Sequence, residues 1–331
     1  MGDQHKVHMV QWYPGHIARA ERQLKEQLKM VDVVLEVRDA RIPVATHHPQ
    51  VSTWVGPSKL RLLVMNRLDQ VSQEDKAAWV QYYKDTKQKM FWTDGKQGDG
   101  VQGVKRAMLA ASEVINAKRA RRGLQSRPVR ACVIGFPNIG KSALINRLLG
   151  RKAVASYAKP GVTRMLQWVR LEGQLDLLDA PGVIPAAFND QIAAQRLAIC
   201  NDIGEAAYVD SIVAAALVQR CRLLPQPSRS RAMAALRARY SLDPEQGSAE
   251  EFVVGVANKL FFGEMEKGGQ RLLKDYRTGA LGAFSLEHPA DIDSKRHRDM
   301  MLEAAKSGVA SSAASEATSV AGGGWIKQTG H

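Results

Sequence analysis

The chain has 331 residues, of which 45% are hydrophobic and 24% charged, and these proportions exclude a wholly disordered chain and a fibrous repeat. Its 47 Lys and Arg outnumber its 33 Asp and Glu and give a formal net charge of +14. Because such an excess attracts phosphate polyanions whatever the fold, nucleic acid is the first expected partner, ahead of an acidic membrane surface.

Two further features bear on where the protein works. No apolar run approaches the roughly 20 residues that span a bilayer, and the first residues lack the apolar stretch of a secretory signal. The 3 cysteines are odd in number and form no CxxC pair, so they indicate neither a disulfide framework nor a zinc site. We therefore expect a soluble cytoplasmic protein.

The first two thirds of the chain read as short strands separated by helices. Strands are predicted at residues 31–37, 60–65, 89–92, 129–134, 166–171 and 175–178, and helices at residues 73–84, 101–120 and 142–149. Strands that alternate with helices favour a mostly parallel sheet covered on both faces. The sequence predicts an α/β domain over residues 31–205, preceded by an N-terminal segment at residues 1–30.

A basic stretch at residues 105–130 carries eight Lys or Arg against the single acid Glu113. Two interpretations remain open for it: a charged helix end followed by a solvated linker, or direct contact with RNA.

Strand signals stop after about residue 210. Residues 211–240 contain no acidic residue but six arginines: Arg220, Arg222, Arg229, Arg231, Arg237 and Arg239. Further on, Ser248 and Glu251 fit a capping box before an apolar spacing typical of a helix with one buried stripe. We expect a small, basic, all-α domain at residues 206–300.

The last 31 residues, 301–331, are rich in Ala, Ser and Gly. Such a composition cannot bury enough apolar surface to offset the entropy of ordering. A disordered tail is predicted.

Residues 135–142 (GFPNIGKS) match GxxxxGKS between a predicted strand and an apolar helix. The glycines let successive N–H groups face a phosphate, and the helix N-terminus adds its positive end. Lys141 is expected to reach the β- and γ-phosphates, and Ser142 to supply a hydroxyl to Mg²⁺. A chance glycine turn is disfavoured because strand, loop and helix all agree. The residues expected to contact the nucleotide are Asn138, Ile139, Gly140, Lys141, Ser142 and Ala143.

Residues 179–182 (DAPG) end a second apolar strand and have the form of a DxxG element. Asp179 is expected near Mg²⁺ through water, and the N–H of Gly182 at the γ-phosphate. Alone this motif is usually a turn, and its place downstream of the phosphate loop supports the nucleotide interpretation. In the loop between the two motifs, Thr163 either supplies a second hydroxyl to Mg²⁺ or begins the next strand.

Residues 66–69 (NRLD) follow an apolar strand and resemble the NKxD element that selects guanine. The carboxylate of Asp69 would accept hydrogen bonds from guanine N1–H and N2–H₂, a pattern that adenine cannot offer. Asn66 and Arg67 complete this predicted GTP contact, with Arg67 in place of the usual Lys. As an isolated tetrapeptide NRLD is more often a turn, but beside a phosphate loop it favours GTP over ATP.

The order of these motifs is unusual, because the guanine element precedes the phosphate loop. If both serve one nucleotide, the domain is circularly permuted, which is tolerable because domain termini usually lie close together. The predicted fold class is α/β, a circularly permuted P-loop GTPase domain with a mostly parallel doubly wound sheet, followed by a small all-α C-terminal domain.

With residues 11–16 (QWYPGH), 38–43 (RDARIP) and 275–279 (DYRTG), the ordered motifs resemble the YlqF/RbgA family of circularly permuted ribosome-assembly GTPases. The resemblance implies GTP hydrolysis in late maturation of the large ribosomal subunit, as a timing or release step, with the C-terminal domain touching rRNA. We expect a monomer off the ribosome, with no DNA or membrane partner. The alternative is a guanine-nucleotide switch that binds RNA or protein and hydrolyses little GTP.

Many GTPases carry a water-orienting Gln directly after DxxG, where this chain has Val183. The resemblance implies that His16 is the catalytic residue that orients the water instead, and a neutral imidazole can accept a hydrogen bond from water. From the residues alone, the competing interpretation is that His16 caps the next helix or orders the N-terminal turn. Asn138 lies where potassium-activated relatives hold K⁺, or is an ordinary loop residue. Residues 93–95 (TDG) stand where a base-contacting loop is expected but match its pattern poorly.

Overall fold

The computed structural model describes residues 14–56, 59–84, 90–151, 167–171, 173–180, 182, 190–204 and 207–292. Within these ranges no helix is both long and apolar enough to cross a membrane. The predicted disordered tail lies outside the described residues.

A six-stranded sheet lies at the centre of the fold. Its strands are β1 (Val33–Asp39), β2 (Leu60–Asn66), β3 (Met90–Thr93), β4 (Val129–Ile134), β5 (Gln167–Leu171) and β6 (Leu175–Asp179). Their spatial order is β3-β2-β1-β4-β6-β5, and every neighbouring pair is parallel except β5 with β6. The predicted α/β fold with a mostly parallel sheet is confirmed, although β1 begins at Val33 rather than at residue 31.

Helices cover both faces of the sheet, as expected for strands that are apolar on both sides. They are α1 (Pro14–Lys29), α2 (Val51–Val55), α3 (Gln73–Lys84), α4 (Val101–Ala120), α5 (Lys141–Leu149) and α6 (Gln191–Cys200). The predicted bounds of α3 and α4 are confirmed, and α5 begins one residue earlier than predicted. Residues of α1 and α2 pack on one face with Val34, Cys132 and Leu178, whereas α4 and α5 pack on the other with Leu35 and Val133.

Four further helices follow: α7 (Asp210–Arg222), α8 (Ser228–Tyr240), α9 (Ala249–Phe261) and α10 (Met265–Arg277). The predicted capping box is present, because Ser248 accepts from the Glu251 N–H while the Glu251 carboxylate accepts from the Ser248 N–H. One buried apolar cluster continues from the sheet through these helices. The division between residues 205 and 206 stays a prediction.

The segment after α10 returns to the loop that follows β1. The Leu286 N–H donates to the Arg41 carbonyl at 2.9 Å, and the Glu287 carboxylate accepts from the N–H groups of Val44 at 2.6 Å and Ala45 at 3.1 Å. Glu287 is buried, so these charge-assisted bonds are shielded from water. They attach the end of the helical region to the RDARIP segment beside the sheet.

Candidate functional site

The predicted nucleotide motifs meet at one edge of the sheet. The guanine element follows β2, the phosphate loop follows β4 and the DxxG element follows β6. These three strands run parallel, so their carboxyl ends lie at a common edge, where open α/β sheets bind ligands. In this single sheet, the earlier strand β2 carries the guanine element, and the later strands β4 and β6 carry the phosphate loop and the DxxG element. This is the permuted order.

Two glycines let the phosphate loop follow its path. Gly135 has φ 151°, and a Cβ there would lie 2.4 Å from the Val37 carbonyl oxygen. Gly140 has φ 92°, and a Cβ there would lie 2.4 Å from the side-chain nitrogen of Asn66. A side chain at either position would meet both backbone strain and a clash. The loop is therefore closely wrapped between β1 and the guanine element.

Lys141 opens α5 directly behind this loop. Its Nζ donates to the carbonyl oxygens of Phe136 at 2.7 Å and Gly135 at 3.2 Å, and the residue is 7% exposed. The amine therefore lies inside the ring of loop backbone, beside the positive end of α5. This is the place where an amine can meet phosphate oxygens held by the loop.

The predicted magnesium ligands are neighbours. The Ser142 hydroxyl donates to the Asp179 carboxylate at 3.3 Å, and a Cβ on Gly182 would come within 2.6 Å of the Pro137 nitrogen. The DxxG element thus lies against the phosphate loop. A hydroxyl and a carboxylate oxygen are ligands that Mg²⁺ prefers, so this pair fits the metal. Thr163 and Val183 lie outside the described residues.

Asn66 joins the guanine element to two other loops, a role that sequence reasoning did not identify. Its Nδ2 donates to the Ile139 carbonyl at 2.8 Å, and its Oδ1 accepts from the Gly95 N–H at 2.9 Å and the Thr93 hydroxyl at 3.1 Å. The residue is 2% exposed. It fastens the guanine element to the phosphate loop and to the 93–95 loop, and its direct contact with GTP stays a prediction.

Arg67 also holds the phosphate loop. It adopts the left-handed conformation with φ 69°, its guanidinium donates to the Asn138 carbonyl at 2.7 Å, and its Nε lies 3.2 Å from a carboxylate oxygen of Asp39. That the aliphatic part of Arg67 lies against a base stays a prediction. The planar fork of the guanidinium lets it bridge the Asn138 carbonyl of the phosphate loop and the Asp39 carboxylate.

Asp69, the predicted guanine-selecting carboxylate, remains exposed to solvent. Partial burial and the neighbouring Asp94 carboxylate raise the pKa of Asp69 above its ordinary value. The Asp94 carboxylate itself accepts from the backbone N–H groups of Lys96 at 2.7 Å and Gln97 at 3.1 Å, which shapes the 93–95 turn. Asp69 is thus presented at the rim of the site, where its acceptor oxygens are accessible.

The side chain of Asn138, the predicted potassium ligand, is directed to the end of α6. Its Nδ2 donates to the Asn201 carbonyl at 2.8 Å, and its own backbone has φ 56°. This contact links the phosphate loop to α6, and the potassium site stays a prediction.

A buried charged cluster lies behind the phosphate loop, formed by Asp39 and Arg41 of the RDARIP segment together with Asp202. Arg41 makes a bidentate pair with Asp39 at 2.9 and 2.7 Å, and although burial opposes ionisation, Arg41 and Arg67 keep the pKa of Asp39 low. Asp202 is 0% exposed, and neither of its carboxylate oxygens has a hydrogen-bond partner in the described part of the chain. Burial and then the nearby Asp39 raise the pKa of Asp202 well above its ordinary value.

The predicted catalytic residue, His16, lies in the first turn of α1, and its side chain lies outside the description. The course of the helix is clear. Lys59, directly before β2, donates its Nζ to the carbonyls of Lys29 at 3.3 Å and Val31 at 2.8 Å, so the connection between α1 and β1 lies at the amino edge of the sheet. Leu24 lines a small cavity together with Gly135. Since Leu24 also belongs to one apolar cluster with Ile134 and Ala180 at the carboxyl ends of β4 and β6, α1 runs antiparallel to β1, with its first turn toward the carboxyl edge of the sheet.

The six arginines of residues 211–240 are all engaged within the protein. Four pair with carboxylates: Arg229 with Glu245, Arg231 with Glu74, Arg237 with Asp243 and Arg239 with Asp275. Arg222 donates to the backbone carbonyls of Pro244 and Gly247. Arg220 donates to the Leu286 carbonyl and pairs with Asp291. The sequence showed a run without acids, but the fold brings acids from elsewhere beside it. RNA binding by residues 206–300 stays a prediction.

Comparison with known proteins gives concordant matches. Residues 130–224 match the family described as "50S ribosome-binding GTPase". The chain is 31% identical to ribosome biogenesis GTPase A of Priestia megaterium over 294 residues, which is 86% of this chain and 98% of that protein. It is 32% identical to ribosome biogenesis GTPase A of Bacillus licheniformis over 293 residues, 86% of this chain and 100% of that protein.

Among solved structures, the GDP-bound structure of TM YlqF has a TM-score of 0.56 at 22% identity and covers 82% of this chain and 100% of its own. The GNP-bound YlqF from T. maritima has a TM-score of 0.53 at 23% identity, with 82% and 98% covered. At these identities the likeness shows the fold, and it agrees with the permuted strand order described above.

Proposed function

The chain belongs to the ribosome biogenesis GTPase A family, and from this premise we propose that it hydrolyses GTP in late assembly of the large ribosomal subunit. It binds ribosomal RNA and uses hydrolysis as a timing or release step in the cytoplasm. The observation that carries the proposal is the bond between Asn66 and the Ile139 carbonyl, which joins a guanine element to a phosphate loop 73 residues away. A monomeric state off the ribosome and the lack of DNA binding stay predictions.

In the proposed site, the backbone of the loop and Lys141 bind the β- and γ-phosphates, and the acceptor oxygens of Asp69 select guanine. The position of the Lys141 amine within the loop supports the first assignment. The exposed carboxylate of Asp69 supports the second, since a site built to pair the guanine edge rejects adenine strongly.

Ser142 and Asp179 would hold Mg²⁺, with Thr163 as a further ligand. When bound, the ion supplies positive charge to the phosphate oxygens. The 3.3 Å contact between the Ser142 hydroxyl and the Asp179 carboxylate supports this ligand pair. We assign K⁺, if the enzyme is potassium-activated, to the Asn138 position of the phosphate loop, with the same electrostatic effect.

We assign His16 to orient the attacking water. The support is the course of α1: at about 1.5 Å per residue, His16 lies about 12 Å before Leu24 along the helix, and Leu24 lines the same small cavity as Gly135, the first glycine of the phosphate loop. This course directs the first turn toward the carboxyl edge, where the γ-phosphate would lie. A neutral imidazole there can accept a hydrogen bond from water.

Because α1 begins at Pro14, His16 lies inside the helix and is not its N-cap residue. The His16→Ala variant therefore separates a catalytic role from one in ordering the first turn. A catalytic role predicts a loss on the order of 10²-fold in subunit-stimulated kcat, with GTP affinity and thermal midpoint unchanged. A role in ordering the first turn predicts the reverse, a lower midpoint with unchanged kcat. His288→Ala, at a histidine that caps the short helix at residues 289–291, is the matched control and should leave kcat unaffected.

The experiment that tests the proposed function measures turnover of GTP and of ATP with Mg²⁺, in K⁺ or Na⁺, with and without purified large subunits. We expect slow GTP turnover that large subunits accelerate strongly, as partners accelerate other GTPases, and no comparable ATP turnover. Equal rates with and without subunits would refute the assembly role. Tight GTP binding without accelerated hydrolysis would instead establish a nucleotide switch.

A further inference from the structure

The C-terminal end of α4 is built into an ordered turn rather than a loose linker. The side chain of Asn116 donates to the Arg127 carbonyl at 3.0 Å and accepts from the Arg127 N–H at 3.1 Å. The Arg127 guanidinium then makes a bidentate pair with Asp32 at 2.9 Å and 2.9 Å. Both ends of residues 116–127, which we name the α4 turn, are thus fastened to the body of the protein.

The α4 turn displays cations that the fold does not neutralise. Lys118, Arg121 and Arg122 are exposed, and across the described ranges no acidic side chain pairs with any of the three. This differs from α8, where Arg229, Arg231 and Arg237 face carboxylates. A phosphate that approaches α8 meets acid and base together, whereas one that approaches Lys118, Arg121 and Arg122 meets three cations that no described carboxylate pairs.

The positive surface continues along β4. Arg130 is exposed, its N–H donates to the same Asp32 that holds Arg127, at 3.0 Å, and its guanidinium lies over the ring of Trp168 at 5.7 Å. The aromatic ring restricts the guanidinium without consuming its charge. A rigid scaffold that presents several cations loses little entropy when phosphates bind.

We propose that the α4 turn, together with Arg130, binds the phosphate backbone of duplex RNA, and that it contributes more to RNA affinity than the arginines of α8. The proposal rests on the proposed function, in which the protein binds ribosomal RNA. Contact with the backbone is favoured over base reading, because the groups that the α4 turn displays are mainly Lys and Arg cations, which phosphates attract whatever the base sequence.

The test compares two variants with equal loss of charge. One carries Lys118→Gln, Arg121→Gln and Arg122→Gln, and the other carries Arg229→Gln, Arg231→Gln and Arg237→Gln. Binding to a 20-bp RNA duplex of arbitrary sequence and to purified large subunits is measured by fluorescence anisotropy and by pelleting, over a series of KCl concentrations. Basal GTPase rate and thermal midpoint are recorded for both.

The logarithm of the RNA association constant falls as the logarithm of the salt concentration rises. In the α4-turn variant we expect the steepness of this line to decrease by about 2 to 3, since each phosphate contact contributes about 0.7 to 0.9. The basal GTPase rate should not change. The α8 variant should keep a slope near that of the unmodified protein. A further variant, Arg121→Lys with Arg122→Lys, keeps the charge and should keep the slope.

Equal losses in both Gln variants would show that only net charge matters and would overturn the proposal, as would a larger loss in the α8 variant. A lower thermal midpoint with unchanged RNA affinity would show that the α4 cations serve only the helix C-terminus, and would also overturn it. If the unmodified protein binds neither duplex nor subunit, the proposed function itself fails, which is a distinct result.

Discussion

Replacing Asn66 with Ala probes the joint between the guanine element and the phosphate loop. The substitution removes three hydrogen bonds, to the Ile139 carbonyl, the Thr93 hydroxyl and the Gly95 N–H. Because Asn66 is 2% exposed, water does not readily replace the lost partner. At about 1 kcal/mol for each bond, the free energy of unfolding should fall by about 3 kcal/mol.

The assay is urea unfolding of both proteins without nucleotide, followed by circular dichroism and Trp fluorescence. The expected result is a lower midpoint with an unchanged slope. GDP affinity should fall in parallel, because the two loops that Asn66 joins border the proposed nucleotide site. Affinity for large subunits at low salt should not change, since Asn66 lies at the carboxyl end of β2 whereas the α4 turn leads into the amino end of the parallel strand β4.

Thr93→Val is the matched control, because it removes one of the three bonds and should cost about 1 kcal/mol. In the double variant the costs should not add, and the coupling energy should equal about 1 kcal/mol. A loss below about 1 kcal/mol for Asn66→Ala, or strict additivity with Thr93→Val, would refute the reasoning that these bonds hold the joint.

Three other substitutions have distinct expected outcomes. Folding raises the pKa of Asp202, so the free energy of unfolding falls as the pH rises above the pKa that Asp202 has in the unfolded chain. Asp202→Asn removes this loss and should therefore stabilise the protein more at pH 8 than at pH 5, as measured by urea unfolding. Gly135→Ala should weaken GTP binding and lower stability by about 1 to 3 kcal/mol, because its Cβ would lie 2.4 Å from the Val37 carbonyl oxygen; calorimetry checks both. Asp69→Asn should exchange guanine for xanthine preference, since an amide can donate to the xanthine C2 carbonyl, and competition with the two triphosphates measures this.

Local features of the fold and site could be predicted from the sequence. The bounds of β4, α3 and α4 and the capping box of α9 were correct, because periodicity, caps and glycines act over a few neighbouring residues. The phosphate loop and the permuted order could also be predicted, since the residue types of each motif indicate what it binds and each motif directly follows a predicted strand.

The connections between distant segments could not be predicted from the sequence. Asn66 read as a base-binding residue, yet it fastens loops 73 residues apart, and Glu287 reaches the Val44 N–H across 243 residues. In the sequence, the arginines of residues 211–240 indicated one basic surface, but the fold places carboxylates beside most of them. Arg121 and Arg122 of the α4 turn, in contrast, are exposed. Propensity and periodicity report only on neighbours along the chain, while the burial of Asp202 and the pairing of each cation depend on which segments pack together.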